Sequence, residues 1–191
     1  MSKLNFTKSA RKAYPGCGIV KGESFWWWEP FRLPIRRSKT KPRPSQLITA
    51  DKPHRAAQAS EALGDLAEAV SAGRCSKDDV TSELDNIAEQ VREIAEEYRE
   101  SATNIRHSFS ESNTADECDE KADNLDAWAE ELDDAKSEIE NVDTDGTEEE
   151  QLAAKAKEDA NTDAVGGDED LPESVRGEIV SHINDANNNP L

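Results

Sequence analysis

The central stretch of the chain, residues 80–109, reads VTSELDNIAEQVREIAEEYRESATNIRHSF. Its apolar residues recur every three or four positions, which places them on one face of an α-helix. Ser76 and Asp79 have the spacing of a capping box just before this stretch, and Ser110-Glu-Ser-Asn interrupts it after Phe109. We therefore predict a long helix over residues 76–109. Its apolar face carries Val80, Leu84, Ile87, Val91, Ile94, Tyr98, Ala102 and Ile105.

A second apolar stripe at helical spacing predicts a helix over residues 114–142, with Thr114 and Glu117 as its cap. The stripe comprises Cys118, Ala122, Leu125, Trp128, Leu132, Ala135, Ile139 and Val142. The two stripes mirror each other about one turn, so we expect an antiparallel hairpin. Its expected facing pairs are Ile105/Cys118, Tyr98/Leu125, Val91/Leu132, Ile87/Ala135 and Val80/Val142.

An earlier stripe predicts a helix over residues 54–72 that folds back on the base of the hairpin. It comprises Ala56, Ala59, Leu63, Leu66 and Val70, which would face Ile94, Val91, Ile87, Leu84 and Val80. The predicted fold class is mainly α: an antiparallel three-helix base with a long helical hairpin over residues 54–142. The two-helix arm is expected to project past Ile94 and Trp128.

The C-terminal part of the chain predicts an acidic linker and one short helix. Residues 143–170 contain eleven carboxylates and two lysines, a composition typical of disorder. Residues 171–186 predict a helix in which Val175, Ile179 and Ile183 share a face. Such a short helix either docks on the hairpin or serves as a partner-binding peptide, and the sequence leaves both open.

Charge divides the chain into two opposite parts. Residues 1–50, which we call the basic head, carry eleven Lys and Arg against Glu23 and Glu29. Because the whole chain has a net charge of -19, the head at +9 leaves -28 for the remaining residues. This asymmetry favours binding over catalysis. No nucleophile motif, phosphate loop or histidine cluster is present, so we expect no enzymatic activity.

The basic head also holds seven of the ten aromatic residues, which favours a small β-rich module. Gly18 to Trp28 predict two short strands joined by a turn at Val20 to Glu23, and a second strand pair is expected through Phe31 to Arg37. Alternation would put Trp26 and Trp28 on one face and Phe25 and Trp27 on the other. The prolines within residues 38–45 indicate an extended basic connector.

Aromatic side chains interleaved with basic ones are typical of nucleic-acid-binding surfaces, because bases stack on rings while Lys and Arg neutralise phosphates. The alternative is that the tryptophans form the core of a small module with few aliphatic residues. The candidate nucleic-acid-binding residues are Trp26, Trp27, Trp28, Arg32, Arg36, Arg37, Lys39, Lys41 and Arg43.

Tyr14-Pro-Gly-Cys17-Gly18 resembles the first knuckle of zinc-ribbon and treble-clef domains, with Tyr14 in the place of the first Cys. No second Cys/His pair follows in the head, so we expect no metal and no cofactor. Three widely spaced cysteines and the lack of an apolar leader favour a soluble protein in a reducing compartment, the cytoplasm. No membrane span is expected.

Residues 10–48 resemble a group of uncharacterised bacteriophage and prophage proteins. The likeness lies in Ala10-Arg-Lys, Gly18-Ile, Lys21-Gly-Glu, Trp27-Trp, Ser38-Lys-Thr and Pro42-Arg-Pro-Ser-Gln-Leu47. Those proteins also carry acidic helices downstream. The resemblance implies a viral setting, with the host cell cytoplasm as the location, and implies no catalytic residues.

Two hypotheses of function follow. In the first, a phage-type accessory protein binds nucleic acid through its head and uses the acidic helices for protein interaction or for forming a homo-oligomer. In the second, the head is a folded cap and the acidic hairpin binds a basic protein, by mimicry of a DNA backbone; residues 76–142 hold 22 acidic and six basic residues. Docking of the head on an anionic membrane surface ranks third. The opposite charges also predict that the acidic helices mask the head at low salt.

Overall fold

The structure is a computed structural model that describes residues 3–30, 33–143 and 171–187. It is mainly helical, with one small antiparallel sheet, as the sequence predicts. The chain divides into two compact units, the first ending at Glu61 and the second beginning at Ala62. Except for Asp143, the predicted linker over residues 143–170 lies outside the described residues.

The sheet in the first unit has three strands, β1 (Leu4–Thr7), β2 (Phe25–Trp28) and β3 (Arg36–Ser38), in the order β1-β2-β3. Both pairings are antiparallel, and Trp27 lies between Asn5 and Arg37.

The predicted strand at Gly18 to Val20 does not form, although the turn at Val20 to Glu23 does, with Glu23 N–H donating to Val20 C=O at 3.2 Å. Pro15–Cys17 instead form a 3-10 turn, and the proline supplies no N–H to a ladder. Strand β2 therefore pairs with β1, which lies outside the local turn.

The second unit is built on a long antiparallel hairpin. Helix α1 (Asp51–Ser71) precedes it, α2 (Lys77–Ser108) and α3 (Asn113–Asn141) form it, and α4 (Glu173–Asp185) follows. The predicted Ser76–Asp79 capping box is confirmed. The predicted Thr114–Glu117 cap is wrong: α3 begins at Asn113, and Ser112 at its N-cap makes no side-chain cap bond.

The turn after α1 depends on Gly73, which adopts the left-handed conformation with φ 66°. Gly73 N–H donates to Val70 C=O at 2.9 Å, and Arg74 N–H donates to Ala69 C=O at 3.0 Å. These two bonds form a Schellman motif that ends the helix. In the second unit, Leu63 and Val70 of α1 are fully buried, in agreement with the predicted apolar stripe.

Buried side chains of α2 and α3 follow the two predicted stripes from Val80 to Ala102 and from Ala122 to Ile139. Ile105 and Cys118, at the tip, are only half-buried. Ion pairs across the hairpin join Arg106 to Asp116, Arg99 to Asp123 and Lys136 to Asp85. All three match the register expected from the mirrored stripes.

Helix α4 is docked on α3, which answers the question that the sequence left open. Val175, Ile179 and Ile183 are buried, and the indole N–H of Trp128 donates to the Ala186 carbonyl at 2.8 Å. His182 Nδ1 lies 2.8 Å from a carboxylate oxygen of Glu138. The short helix is therefore held by an apolar face, a buried hydrogen bond and a polar contact at its margin.

Candidate nucleic-acid interface

The sheet sorts the predicted site residues onto two faces. Residues that pair across antiparallel strands share a face, so Trp27 lies with Arg37 and Asn5, while Trp26 lies with Phe6 and Ser38. The alternation predicted for residues 25–28 is therefore present. Arg36 and Arg37, adjacent in sequence, point to opposite faces.

The Trp27 face forms an open groove of about 400 Å³, which we call the aromatic groove. Its lining residues are Thr7, Ser9, Arg11, Tyr14, Phe25, Trp27, Ile35 and Arg37. The Tyr14 and Phe25 rings are 5.5 Å apart between centroids. The Arg37 guanidinium lies over the Tyr14 ring at 4.4 Å, a cation–π contact. Aromatic rings and arginines thus occur in one concave surface.

Tyr14 is held in the groove by the tight turn that follows it. Gly18, with φ 65°, reverses the chain so that Tyr14 N–H donates to Ile19 C=O at 2.7 Å. Ile19 is buried with Ala10 and Phe25, and Tyr14 and Trp27 pack against this small core. The sequence that resembles a zinc knuckle therefore serves here to fix an aromatic side chain.

The opposite face of the sheet has a different arrangement of aromatics. Trp26 is half-buried against Phe6, with 4.7 Å between ring centroids, and Phe6 is 50% exposed. Trp28 is only 4% exposed, and its buried indole N–H has no hydrogen-bond partner among the described residues. Trp28 is therefore buried and presents no face for a base to stack on.

The predicted basic residues separate into several groups. Arg37 lines the groove and Arg36 is exposed on the other face. Lys39 is paired with Glu23 at 3.1 Å. The Val20 N–H and then the Lys39 ammonium hold the pKa of the Glu23 carboxyl below its usual value. Lys41 and Arg43 are exposed on the connector, and Arg32 lies outside the described residues.

The predicted site residues include two of the eight groove residues, Trp27 and Arg37, and omit the charged Arg11 and the aromatic Tyr14. Arg11 follows β1, and its place in the groove depends on the pairing of β1 with β2, which the local turn signal did not reveal. The sequence marks Tyr14 as one of the aromatic residues of the head and as a replacement for a cysteine, but not as a site residue. The sequence signal for both residues is an aromatic side chain two positions after Arg11-Lys12, which resembles the interleaving of aromatic and basic residues over 25–37.

All six basic side chains of residues 76–142 make contacts within the hairpin. Arg92, Arg99, Arg106 and Lys136 pair with aspartates of the facing helix, Lys121 lies over the Tyr98 ring, and Lys77 donates to the Glu140 and Val142 carbonyls. The paired aspartates raise the pKa of Arg99 and Arg106, and Asp85 raises that of Lys136. Most of the 22 carboxylates of residues 76–142 are exposed.

Comparisons with protein-family models, with curated proteins and with solved structures find no match to this chain. Within residues 3–30, 33–143 and 171–187, no three His, Cys, Asp or Glu side chains are grouped to hold a metal ion. In the same described part of the chain, no helix has both the length and the apolar composition to cross a bilayer.

Proposed function

We propose that this chain is a non-enzymatic accessory protein, of the phage type that its head resembles, which binds nucleic acid through the basic head. The observation that carries the proposal is the aromatic groove, where Arg37 lies over Tyr14 beside Trp27 and Arg11. Rings that offer stacking surfaces and arginines that neutralise phosphates are the two components of such sites. The acidic helices serve protein interaction or self-association.

Phosphate contacts supply most of the affinity in this proposal, so binding must weaken as salt rises. Of the predicted cations, Arg37 lines the groove, Lys41 and Arg43 are exposed nearby in sequence, and Lys39 forms an ion pair with Glu23. The groove arginines and the connector are therefore the principal contacts.

The test is fluorescence anisotropy of labelled DNA and RNA oligonucleotides titrated with the full chain across a salt series. Binding that weakens steadily with salt and quenches tryptophan emission is expected. Absence of binding to every oligonucleotide at low salt would overturn the proposal.

A second candidate function is supported by the internal use of the hairpin cations. With Arg92, Arg99, Arg106 and Lys136 paired to aspartates of the facing helix, the excess of exposed carboxylates leaves the hairpin strongly negative, which attracts basic proteins. In this alternative the head is a folded cap. A lysine-rich peptide that bound the full chain, while oligonucleotides did not, would favour it over the first proposal.

A further inference from the structure

We infer that the ligand of the aromatic groove is a single strand, with an unpaired base stacked on Trp27 and its phosphates at Arg11 and Arg37. This inference rests on the proposed nucleic-acid function and narrows it from nucleic acids in general to unpaired ones. In this inference the nucleic acid contacts the Trp27 face of the sheet and does not contact the Trp26 face.

The groove has one ring that is available for stacking. Of the three rings in the groove, Phe25 is buried, and the Arg37 guanidinium lies over the Tyr14 ring. Trp27 is half-buried and lines the open groove, so its ring is the surface available to a ligand. Stacking on such a ring requires the flat face of a base, which a duplex keeps covered by its neighbours and exposes only when the strand is unpaired.

The shape of the sheet around Trp27 also favours a single strand over a duplex. Proteins that read duplex DNA with strands insert a two-stranded ribbon into the major groove and contact base edges with polar side chains. Here Trp27 belongs to the central strand β2 and lies between Asn5 of β1 and Arg37 of β3. A concavity of about 400 Å³ over the central strand accepts an extruded base. The central strand is flanked on both sides, so it does not insert into the groove of a duplex.

The charge of the groove further restricts the ligand. Both charged residues that line the groove are arginines, and Thr7 and Ser9 add hydroxyl groups beside them. The groove therefore matches a ligand that is anionic and aromatic at once. A nucleotide meets both requirements, whereas an acidic peptide meets only the first.

The test uses the full chain and three probes of equal length: a single-stranded oligothymidine, a duplex, and an abasic strand with the same phosphates and no bases. The inference predicts that the oligothymidine binds about 5- to 150-fold more tightly than the abasic strand, the range that one stacked base contributes. It also predicts that the duplex binds more weakly than the oligothymidine.

Arg37→Gln and Arg36→Gln form a matched pair, because they remove the same charge from adjacent residues on opposite faces. We expect Arg37→Gln to weaken oligothymidine binding about tenfold and Arg36→Gln to have a much smaller effect. Trp27→Leu is expected to remove the tryptophan quenching that accompanies binding. Thermal melting of each variant identifies any that does not fold, and the exposed Arg36 and half-buried Arg37 are the safer substitutions.

Failure of the proposed function and failure of the single-strand inference give different results. If no probe bound at low salt, the proposed function itself would be wrong. If the duplex bound as tightly as the oligothymidine, nucleic-acid binding would stand and the single-strand inference would fall. Equal affinity for the abasic strand, equal competition by polyglutamate, or equal effects of Arg36→Gln and Arg37→Gln would each overturn the role of the groove.

Discussion

Ser45 shows how a single buried polar residue joins two segments of the first unit. It is 4% exposed, and its N–H and hydroxyl donate to the two Glu61 carboxylate oxygens, both at 2.8 Å. Its carbonyl lies 2.8 Å from His54 Nδ1. The 3-10 turn at Pro44–Leu47 is thereby attached to α1, so the connector does not end as a free basic strand.

Replacing Glu61 by alanine leaves the two Ser45 donors without their acceptor. We expect Glu61→Ala to lower the free energy of unfolding by about 1–3 kcal/mol, the usual cost of unsatisfied buried donors. Glu68→Ala, on an exposed turn of the same helix, is the matched control and should have little effect. Urea unfolding followed by tryptophan fluorescence measures both, and equal losses would contradict the assigned role of Glu61.

Trp128 holds the C-terminal helix through one buried hydrogen bond. Trp128→Phe keeps an aromatic ring in place but removes the donor to Ala186, at a cost of about 1 kcal/mol. We expect amide hydrogens of α4 to exchange faster in the variant. The amides of α2 provide the internal control, and unchanged exchange in α4 would show that its apolar face alone holds it.

At the scale of single elements, α2 depends on the box formed by Ser76 and Asp79. Asp79 N–H donates to Ser76 Oγ at 3.2 Å, and Ser76 N–H donates back to the Asp79 carboxylate at 3.1 Å. We expect Ser76→Ala to cost about 1 kcal/mol of stability.

The same box gives the stability of α2 a pH dependence. The Ser76 hydroxyl, and then its N–H, lower the pKa of the Asp79 carboxyl. A carboxyl whose folded pKa is lowered stabilises the fold above its unfolded pKa, and the contribution is lost as pH falls through the folded value. The melting temperatures of the wild type and Asp79→Ala should therefore differ at neutral pH and converge in acid. A constant difference across that range would argue against the box as its cause.

The elements that the sequence predicted well are those with many repeated local signals. The stripes of α2 and α3 each span eight apolar positions, so their spans and facing register could be predicted. Strand β1 has four residues and pairs with residues about twenty positions away, which no local pattern indicates. The apolar face of α4 could also be predicted, but its docking site could not, because the indole N–H of Trp128 and the Ala186 carbonyl that it contacts lie far apart in the sequence.

The groove was predictable only in part for the same reason. Trp27 and Arg37 were found because aromatic and basic residues alternate locally in residues 25–37. Arg11 reaches the groove through strand pairing, so its place could not be read from composition. Trp28 is in the predicted set, but the structure buries it while Trp26 on the same face is only half-buried, and alternation does not predict how burial varies along one face.

At the scale of the whole molecule, the net charge of -19 should govern how salt affects stability. In residues 76–142, 22 carboxylates outnumber six cations, so repulsion among exposed carboxylates outweighs the ion pairs. Exposed ion pairs contribute only about 0–1 kcal/mol each. We expect the urea midpoint to rise as salt increases from about 0.01 M to about 0.15 M, where the Debye length falls from about 30 to about 8 Å. A falling midpoint would mean that the ion pairs dominate.

The opposite charges of the head and the acidic helices should also affect ligand binding. Glu96, Glu100, Glu130 and Glu131 are exposed on the hairpin, and changing all four to glutamine removes negative charge without touching the head. If the acidic helices compete with nucleic acid for the head, this variant binds oligonucleotides more tightly at low salt, and the difference disappears at high salt. Identical affinities at low salt would dismiss the masking hypothesis.

The arginines of the hairpin have one more consequence, for how the sequence tolerates change. Arg99 contacts both Asp123 and Asp126, and Arg106 contacts both Asp116 and Asp119, so each guanidinium has two acceptors one helical turn apart. Loss of one aspartate leaves the other as a substitute, whereas loss of the arginine removes both bonds. Each of these four aspartates can thus be lost while its arginine keeps one contact, whereas a single change at Arg99 or Arg106 removes two contacts at once.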